Sequence, residues 1–317
     1  MIIATMENVV KRYGELTALD HLNLNISEGE IFGLLGPNGA GKTTAIRILA
    51  GLIAADSGVV TMFGEHQTIT NMNTRRKMGL VTQEITVFSD LTAIENLRYF
   101  GGLHGMNGEE LENNVNAVLE FVGLSEHAKK YPKKFSGGMQ RRLNIACALV
   151  HHPQFLIMDE PTVGIDPQSR NHILEAVKKI AKQGTTVLYT SHYMEEVQAI
   201  CDRVSIMDAG RVIAEGTIDE LVGRIQHEDR ILFTAVSASE SLTQELNAVS
   251  GVKSVTVNGN AYEIVSTAGS SNLNRIIEIA QRHQGVTDVS VAKPTLEDVF
   301  LTLTGKSLRD GGESGVL

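Results

Sequence analysis

The chain has 317 residues, a formal net charge of −9 and two cysteines, and it is 42% hydrophobic and 21% charged. That length accommodates a larger and a smaller domain with a sizeable core. The acidic balance argues against nucleic acid or an anionic membrane surface as a partner. Cys147 and Cys201 are too few for a disulfide framework and read as small core residues in a reduced compartment. Residues 1–7 carry no positive region followed by an apolar one, so no signal peptide is expected. The longest apolar runs, Ile31–Leu35 and 155–158, are strand-length, far below the ~20 residues of a bilayer span.

Taken in chain order, residues 4–35 read as short strands with turns, ending in Ile31–Leu35, which has the continuous apolar look of a buried parallel strand. A glycine-rich turn leads into a helix over 42–50, and 80–83 closes another strand. Residues 88–150 read as mostly helical, with Leu111, Val115, Val118, Leu119 and Val122 at helical spacing. Residues 155–158 are the next buried strand. Asp166-Pro167 supplies an N-cap and a proline at the first helical position, and Ile173, Leu174, Val177, Ile180 and Ala181 form the apolar face before Gly184 ends the helix. The β-branched stretch 185–190 is a strand. The alternation predicts an α/β core with a mostly parallel sheet.

The composition turns polar over 223–230, which reads as a linker between a domain over 1–223 and a second over 228–305. The second runs strand, helix, strand, strand, helix, strand, with Asn258-Gly259 as the hairpin turn, so it is expected to be α+β and ferredoxin-like. Thr295, with Asp298 three residues on, begins a capped helix whose Leu296, Val299, Phe300 and Leu303 form a stripe that must dock on something. Residues 306–317 read as a flexible tail.

The chemistry begins at Gly36-Pro37-Asn38-Gly39-Ala40-Gly41-Lys42-Thr43, a G-x-x-x-x-G-K-[ST] motif between a buried strand and a helix. Glycines let backbone N–H groups turn inward as an anion nest, and the helix N-terminus adds about half a positive charge. Lys42 is a point charge for the β- and γ-phosphates, Thr43 offers a hydroxyl to Mg²⁺, and Thr44 can reach a phosphate. Asp159-Glu160 closes the strand over 155–158, where α/β sheets bind ligands. Asp159 can hold Mg²⁺ through water, leaving Glu160 to orient or deprotonate an attacking water. An Asp-Glu pair alone is more readily a solvated strand end; the phosphate motif upstream favours the site. No Asn-Lys-x-Asp segment is present to read guanine.

Phe135-Ser136-Gly137-Gly138-Met139-Gln140-Arg141-Arg142 resembles the signature sequence of ABC ATPases, in its expected place before the Asp-Glu pair. Tyr13 is similar to the aromatic residue that stacks on adenine, Gln83 to the Q-loop glutamine that touches Mg²⁺ and water, Val163-Gly164-Ile165-Asp166 to the D-loop, and His192 to the switch histidine that holds the γ-phosphate. Tyr13 alone fits a packed strand residue, His192 alone a structural histidine, and Asp166 is also an N-cap. The signature departs from Leu-Ser-Gly-Gly-Gln at Phe135 and Met139. That variant, with the tail Lys293-Pro294-Thr295-Leu296-Glu297-Asp298-Val299-Phe300, resembles the drug-resistance ATPases of bacterial exporters, related to the eukaryotic A-subfamily.

The resemblance implies a P-loop NTPase cassette with a mostly parallel sheet, an antiparallel β subdomain and a helical subdomain over about 88–150. It implies ATP and Mg²⁺ as ligands, Glu160, His192 and Gln83 as catalytic residues, and Thr43, Gln83 and Asp159 around the metal. ATP would lie between this P-loop and Ser136, Gly137, Gly138, Met139 and Gln140 of a second cassette, so a homodimer is expected, with a heterodimer open. Integral membrane permease subunits would dock around 83–89 and hold the chain peripherally at the cytoplasmic face of the cell membrane. The C-terminal domain is expected to assist dimerisation or regulate turnover. Two other readings stay open: an ABC ATPase acting in translation or DNA repair, and a non-catalytic nucleotide-binding regulator. Intact Glu160 and His192, a single cassette and the acidic charge count against them.

Overall fold

The computed structural model describes residues 1–225, 228–267, 272–283, 285–292 and 295–305. The order runs β1 (Ile2–Tyr13), β2 (Leu16–Ser27), β3 (Ile31–Leu35), α1 (Lys42–Leu49), β4 (Ser57–Met62), β5 (Glu65–His66), α2 (Met72–Arg76), β6 (Met78–Val81), α3 (Ala93–Leu103), α4 (Gly108–Phe121), α5 (Gly137–Leu149), β7 (Phe155–Asp159), α6 (Pro167–Lys182), β8 (Thr186–Thr190), α7 (Met194–Ile200), β9 (Arg203–Asp208), β10 (Arg211–Gly216) and α8 (Ile218–Ile225). The C-terminal part continues β11 (Glu228–Ala235), α9 (Glu240–Asn247), β12 (Val252–Asn258), β13 (Ala261–Thr267), α10 (Asn272–His283), β14 (Val286–Ala292) and α11 (Leu296–Thr304).

The chain forms two compact units, the first over Met1–Ile218 and the second over Asp219–Thr302. In the first, an antiparallel sheet of order β2-β1-β4-β5 stands beside a six-stranded sheet of order β10-β9-β3-β8-β7-β6. Strands β6, β7, β8, β3 and β9 pair in parallel, and β10 adds an antiparallel edge. The parallel strands are apolar because they are buried on both faces. Every residue of β3 and β8 is buried. Where the composition suggests short strands over 4–35, β1 and β2 are instead 12 residues each, with several bulges that bend a long hairpin. The apolar core joins Met6, Leu22, Leu24 and Ile26 of this hairpin to Phe32, Ile46, Leu49 and Phe155.

The second unit has the sheet order β12-β13-β11-β14, all antiparallel, which is the ferredoxin-like arrangement expected from its element order. Gly259 turns the central hairpin at φ 58. Its core gathers Ile231, Phe233, Tyr262, Ile264, Leu242, Leu246, Ile276 and Ile279, with the Phe233 and Tyr262 rings stacked at 5.0 Å. The polar stretch over 223–230 is largely structured, because Ile218, Leu221 and Ile225 give α8 an apolar stripe, and Leu221 is fully buried. Thr295 and Asp298 form the expected reciprocal cap. Leu296, Val299 and Phe300 are buried, whereas Leu303 is exposed. Lys293, Pro294 and the tail over 306–317 lie outside the described residues.

Cys147 and Cys201 are buried and unpaired, and burial pushes both thiols well above their ordinary pKa. Neither is therefore expected to react with a thiol reagent in the native protein. A colourimetric thiol count near zero before denaturation and near two after it checks this.

Candidate functional site

The loop between β3 and α1 is built for a tight approach. A Cβ on Gly36 would meet the Met207 carbonyl at 2.6 Å, and Gly41, at φ 101, would meet the Ala18 carbonyl at 2.5 Å. Only glycine fits both positions. Gly41 is also the N-cap of α1 and offers no side-chain cap, so the first-turn N–H groups keep their donor capacity for an anion. The loop is fixed from outside by the Gly210 N–H donating to the Ala40 carbonyl at 3.0 Å. Lys42 is buried and curls back, its Nζ donating to the Gly36 and Pro37 carbonyls at 2.6 and 3.2 Å. Pro37 and Ala40 are buried, Thr44 is half-buried, and Asn38, Gly39 and Thr43 are exposed.

The second half of the site comes from two neighbouring parallel strands. Asp159 of β7 pairs with Thr190 of β8. The Thr190 hydroxyl donates to Asp159 Oδ1 at 2.8 Å and accepts from the Glu160 N–H at 3.0 Å. Glu160 sits at φ 49, a left-handed conformation that costs a non-glycine residue energy and turns the chain sharply out of the strand. Its side chain then meets His192, with Nε2 to Oε1 at 2.6 Å. Glu160 Oε2 and His192 Nδ1 are buried without a protein partner. Burial lowers the Lys42 pKa, while the charges of Glu160 and Asp159 oppose that drop. Burial likewise raises the Asp159 carboxyl, against the pull of the Thr190 hydrogen bond. Lys42, Asp159, Glu160 and His192 thus converge.

Gln83 lies two residues beyond β6, on the following loop, rather than at the end of the strand. That loop is held by α5. Arg141 donates to the Thr82 carbonyl at 2.7 Å and to the Gln83 carbonyl, and Asn144 accepts from the Thr86 hydroxyl at 2.9 Å. The Ser136 hydroxyl caps α5, accepting from the Met139 N–H at 3.3 Å. Ser136 and Gly137 are exposed, Met139 and Gln140 half-buried. Gly138 is buried, and a Cβ there would lie 2.8 Å from Ser169 Cβ, so this glycine permits α5 to approach α6. Asp166 caps α6 by accepting from the Ser169 N–H at 2.9 Å. Tyr13, at the end of β1, is 47% exposed, enough to leave a ring face for a flat ligand. Sequence reasoning missed Thr190, Arg141 and Asn144. A threonine ending a strand next to an Asp-Glu strand was the available signal for the first; nothing local marks the other two.

Residues 19–163 match the ABC transporter family, and residues 216–304 match the C-terminal domain of "ATP-binding protein DrrA1-3-like". The chain is 44% identical over 307 residues to the linearmycin resistance ATP-binding protein LnrL of Bacillus subtilis (strain 168), covering 96% of this chain and 99% of that protein. It is 37% identical to the Nod factor export ATP-binding protein I of Sinorhizobium fredii, covering 96% and 87%. Among solved structures, a dimeric ATP-binding cassette bound to ADP and phosphate aligns with a TM-score of 0.62 at 30% identity, over 68% of this chain and 98% of that one. An ATP-binding subunit of an ABC transporter aligns with a TM-score of 0.65 at 27% identity, over 70% and 92%. The chain belongs to the ATP-binding subunits of ABC transporters, in the bacterial drug-resistance branch, with the α/β P-loop cassette fold. It is an ATPase that powers export.

Because burial raises the Asp159 carboxyl above its unfolded value, native stability declines as pH rises through that window and stays lower above it. Asp159→Asn is therefore expected to raise the Tm of the nucleotide-free protein at neutral pH, with the gain shrinking as pH falls. Thermal scans across pH check the sign.

Proposed function

We propose that each active site is shared between two copies of this chain. The phosphates of ATP lie on residues 36–44, and the γ-phosphate meets Ser136, Gly137, Gly138, Met139 and Gln140 of the partner. The adenine stacks on Tyr13. The observation that supports the phosphate half of this reading is the convergence of buried Lys42 and Glu160 with half-buried Asp159 and His192 in one hydrogen-bonded and charged cluster. Thr43, Gln83 and Asp159 offer a hydroxyl, an amide oxygen and a carboxylate, a set of hard oxygen donors suited to Mg²⁺. The cation, when bound, neutralises charge on the phosphates. Glu160 orients the attacking water and accepts its proton, with Oε2 available for that role. His192 holds Glu160 through Oε1 and contacts the γ-phosphate.

Glu160→Gln is expected to keep ATP binding while steady-state turnover falls by about 100-fold or more. Phosphate release beside equilibrium ATP binding tests it, and normal turnover would remove Glu160 from its role. Lys42→Ala is expected to weaken ATP binding, and an unchanged Kd by calorimetry would count against the phosphate cradle.

We infer further that a permease segment docks beside α3. Leu52, Phe88, Tyr99 and Leu103 are exposed apolar residues, and a cavity of about 290 Å³ lies among Leu52, Leu80, Thr86, Phe100 and His104. The cavity shares Thr86 with the loop that carries Gln83, so a docked segment would feel the nucleotide state through Arg141 and Asn144. No helix among the described residues is long and apolar enough to cross a membrane. The proposed permease contact would hold the chain peripherally at the cytoplasmic face of the cell membrane. The C-terminal unit is proposed to assist dimerisation or set turnover. Removal of residues beyond 225 should weaken ATP-dependent dimerisation, measured by light scattering, and unchanged dimerisation and transport would refute that role.

A further inference from the structure

Glu196 is a buried carboxylate that the hydrolysis scheme does not use. It lies in the first turn of α7 and is 2% exposed. Three hydroxyls donate to one of its oxygens: Thr162 Oγ1 at 2.8 Å, Tyr189 OH at 2.8 Å and Ser191 Oγ at 2.6 Å. Arg170 Nε of α6 stands 3.3 Å from its other oxygen as an ion pair. A desolvated carboxylate is tolerated when it gathers this many donors, and removing it leaves several buried polar groups without partners. Burial and the adjacent Glu196 charge keep the Tyr189 phenol protonated by raising its pKa, so that it remains a donor.

The four partners are connected to the segments that carry Glu160 and His192. Ser191 precedes His192, and its hydroxyl also accepts from the Tyr193 N–H at 3.0 Å, which closes the backbone turn with His192 at its apex. The Arg170 guanidinium lies over the Tyr193 ring at 4.2 Å, so both flanks of His192 are tied to the same carboxylate. Thr162 stands two residues after Glu160. Its carbonyl accepts from the Ile165 N–H at 3.2 Å, inside the segment that ends at the Asp166 cap. Tyr189 precedes Thr190, the hydroxyl that holds Asp159 and the Glu160 N–H. A carboxylate serving packing alone would not need to draw its donors from both sides of the Glu160–His192 pair.

We infer that Glu196 is a positioning residue for ATP hydrolysis: it fixes the His192 turn and the 160–166 segment in one arrangement, so that the two move as a unit. The inference rests on the roles proposed above for Glu160 and His192. It follows that loss of the carboxylate should impair the chemical step and spare ATP binding, because no partner of Glu196 belongs to the phosphate loop.

The test measures kcat and KM for ATP in the full chain. Glu196→Gln keeps the shape but removes the charge and sets a donor NH2 either against the three hydroxyls or against the Arg170 guanidinium. Its kcat is expected to fall about 10- to 100-fold with KM changed by less than about twofold. Thr162→Val removes one arm and should lower kcat by about three- to tenfold, and it carries the test if Glu196→Gln does not fold. In a His192→Ala background the Glu196 substitution should add less than about twofold, because residues that act as a unit are not additive. An unchanged kcat, a KM that rises in step with the loss, or full additivity with His192→Ala would overturn the inference. Glu160→Gln and His192→Ala run in parallel. Normal turnover in those two would refute the site assignment itself, whereas lost turnover there with normal turnover in Glu196→Gln would refute only the role of Glu196.

Discussion

The pairing of β7 with β8 is the constraint on which the site depends. Parallel strands in register place Asp159 beside Thr190, and one threonine hydroxyl then serves two residues of the neighbouring strand. Asp159 is held by its side chain and Glu160 by its N–H. The left-handed turn at Glu160 follows at once and brings its carboxylate to His192, two residues beyond β8. A register slip of one residue would turn Thr190 to the other face of the sheet and away from Asp159.

The same cluster holds charges that neither water nor bulk solvent stabilises. Lys42 is buried against two carboxylates, and Asp159 is raised by its own burial. Such an arrangement does not maximise the stability of the folded chain; it prepares a pocket of fixed charge and dipole for an anion. The strained φ at Glu160 and the two close-approach glycines, Gly36 and Gly41, belong to the same economy, in which local cost is carried by a large apolar core. In an ATPase that powers export, the part that must be most exact is also the part most dependent on its surroundings.

Mechanical connections leave this centre in two directions. One passes through Glu196 to α6, α7 and the segment ending at Asp166. The other passes through Arg141 and Asn144 from α5 to the loop bearing Gln83. Glu196, Arg141 and Asn144, the residues at the centre of the two connections, are buried, so their hydrogen bonds have few alternatives. Gly138 adds the close approach of α5 to α6, which sets this glycine beside Ser169 and the Asp166 cap.

The phosphate loop, the caps at Ser136, Asp166 and Thr295, the apolar parallel strands and the βαββαβ order were legible in the sequence because each is local: a short run of residues fixes its own backbone or its own period. Gln83 and the stretch over 223–230 were misread for a related reason. Short apolar runs do not mark their own ends, and a polar helix that buries only Leu221 resembles a linker. The sequence determined that this chain would be an ATP-binding cassette and which residue types the proposed phosphate site would hold. Only the tertiary structure decided that Thr190 would clamp Asp159 and Glu160, that Arg141 would hold the Gln83 loop, and that Glu196 would gather Thr162, Tyr189, Ser191 and Arg170. Those partners lie between 5 and 59 positions apart, and sheet register and helix packing, not local pattern, bring them within a hydrogen bond of one another.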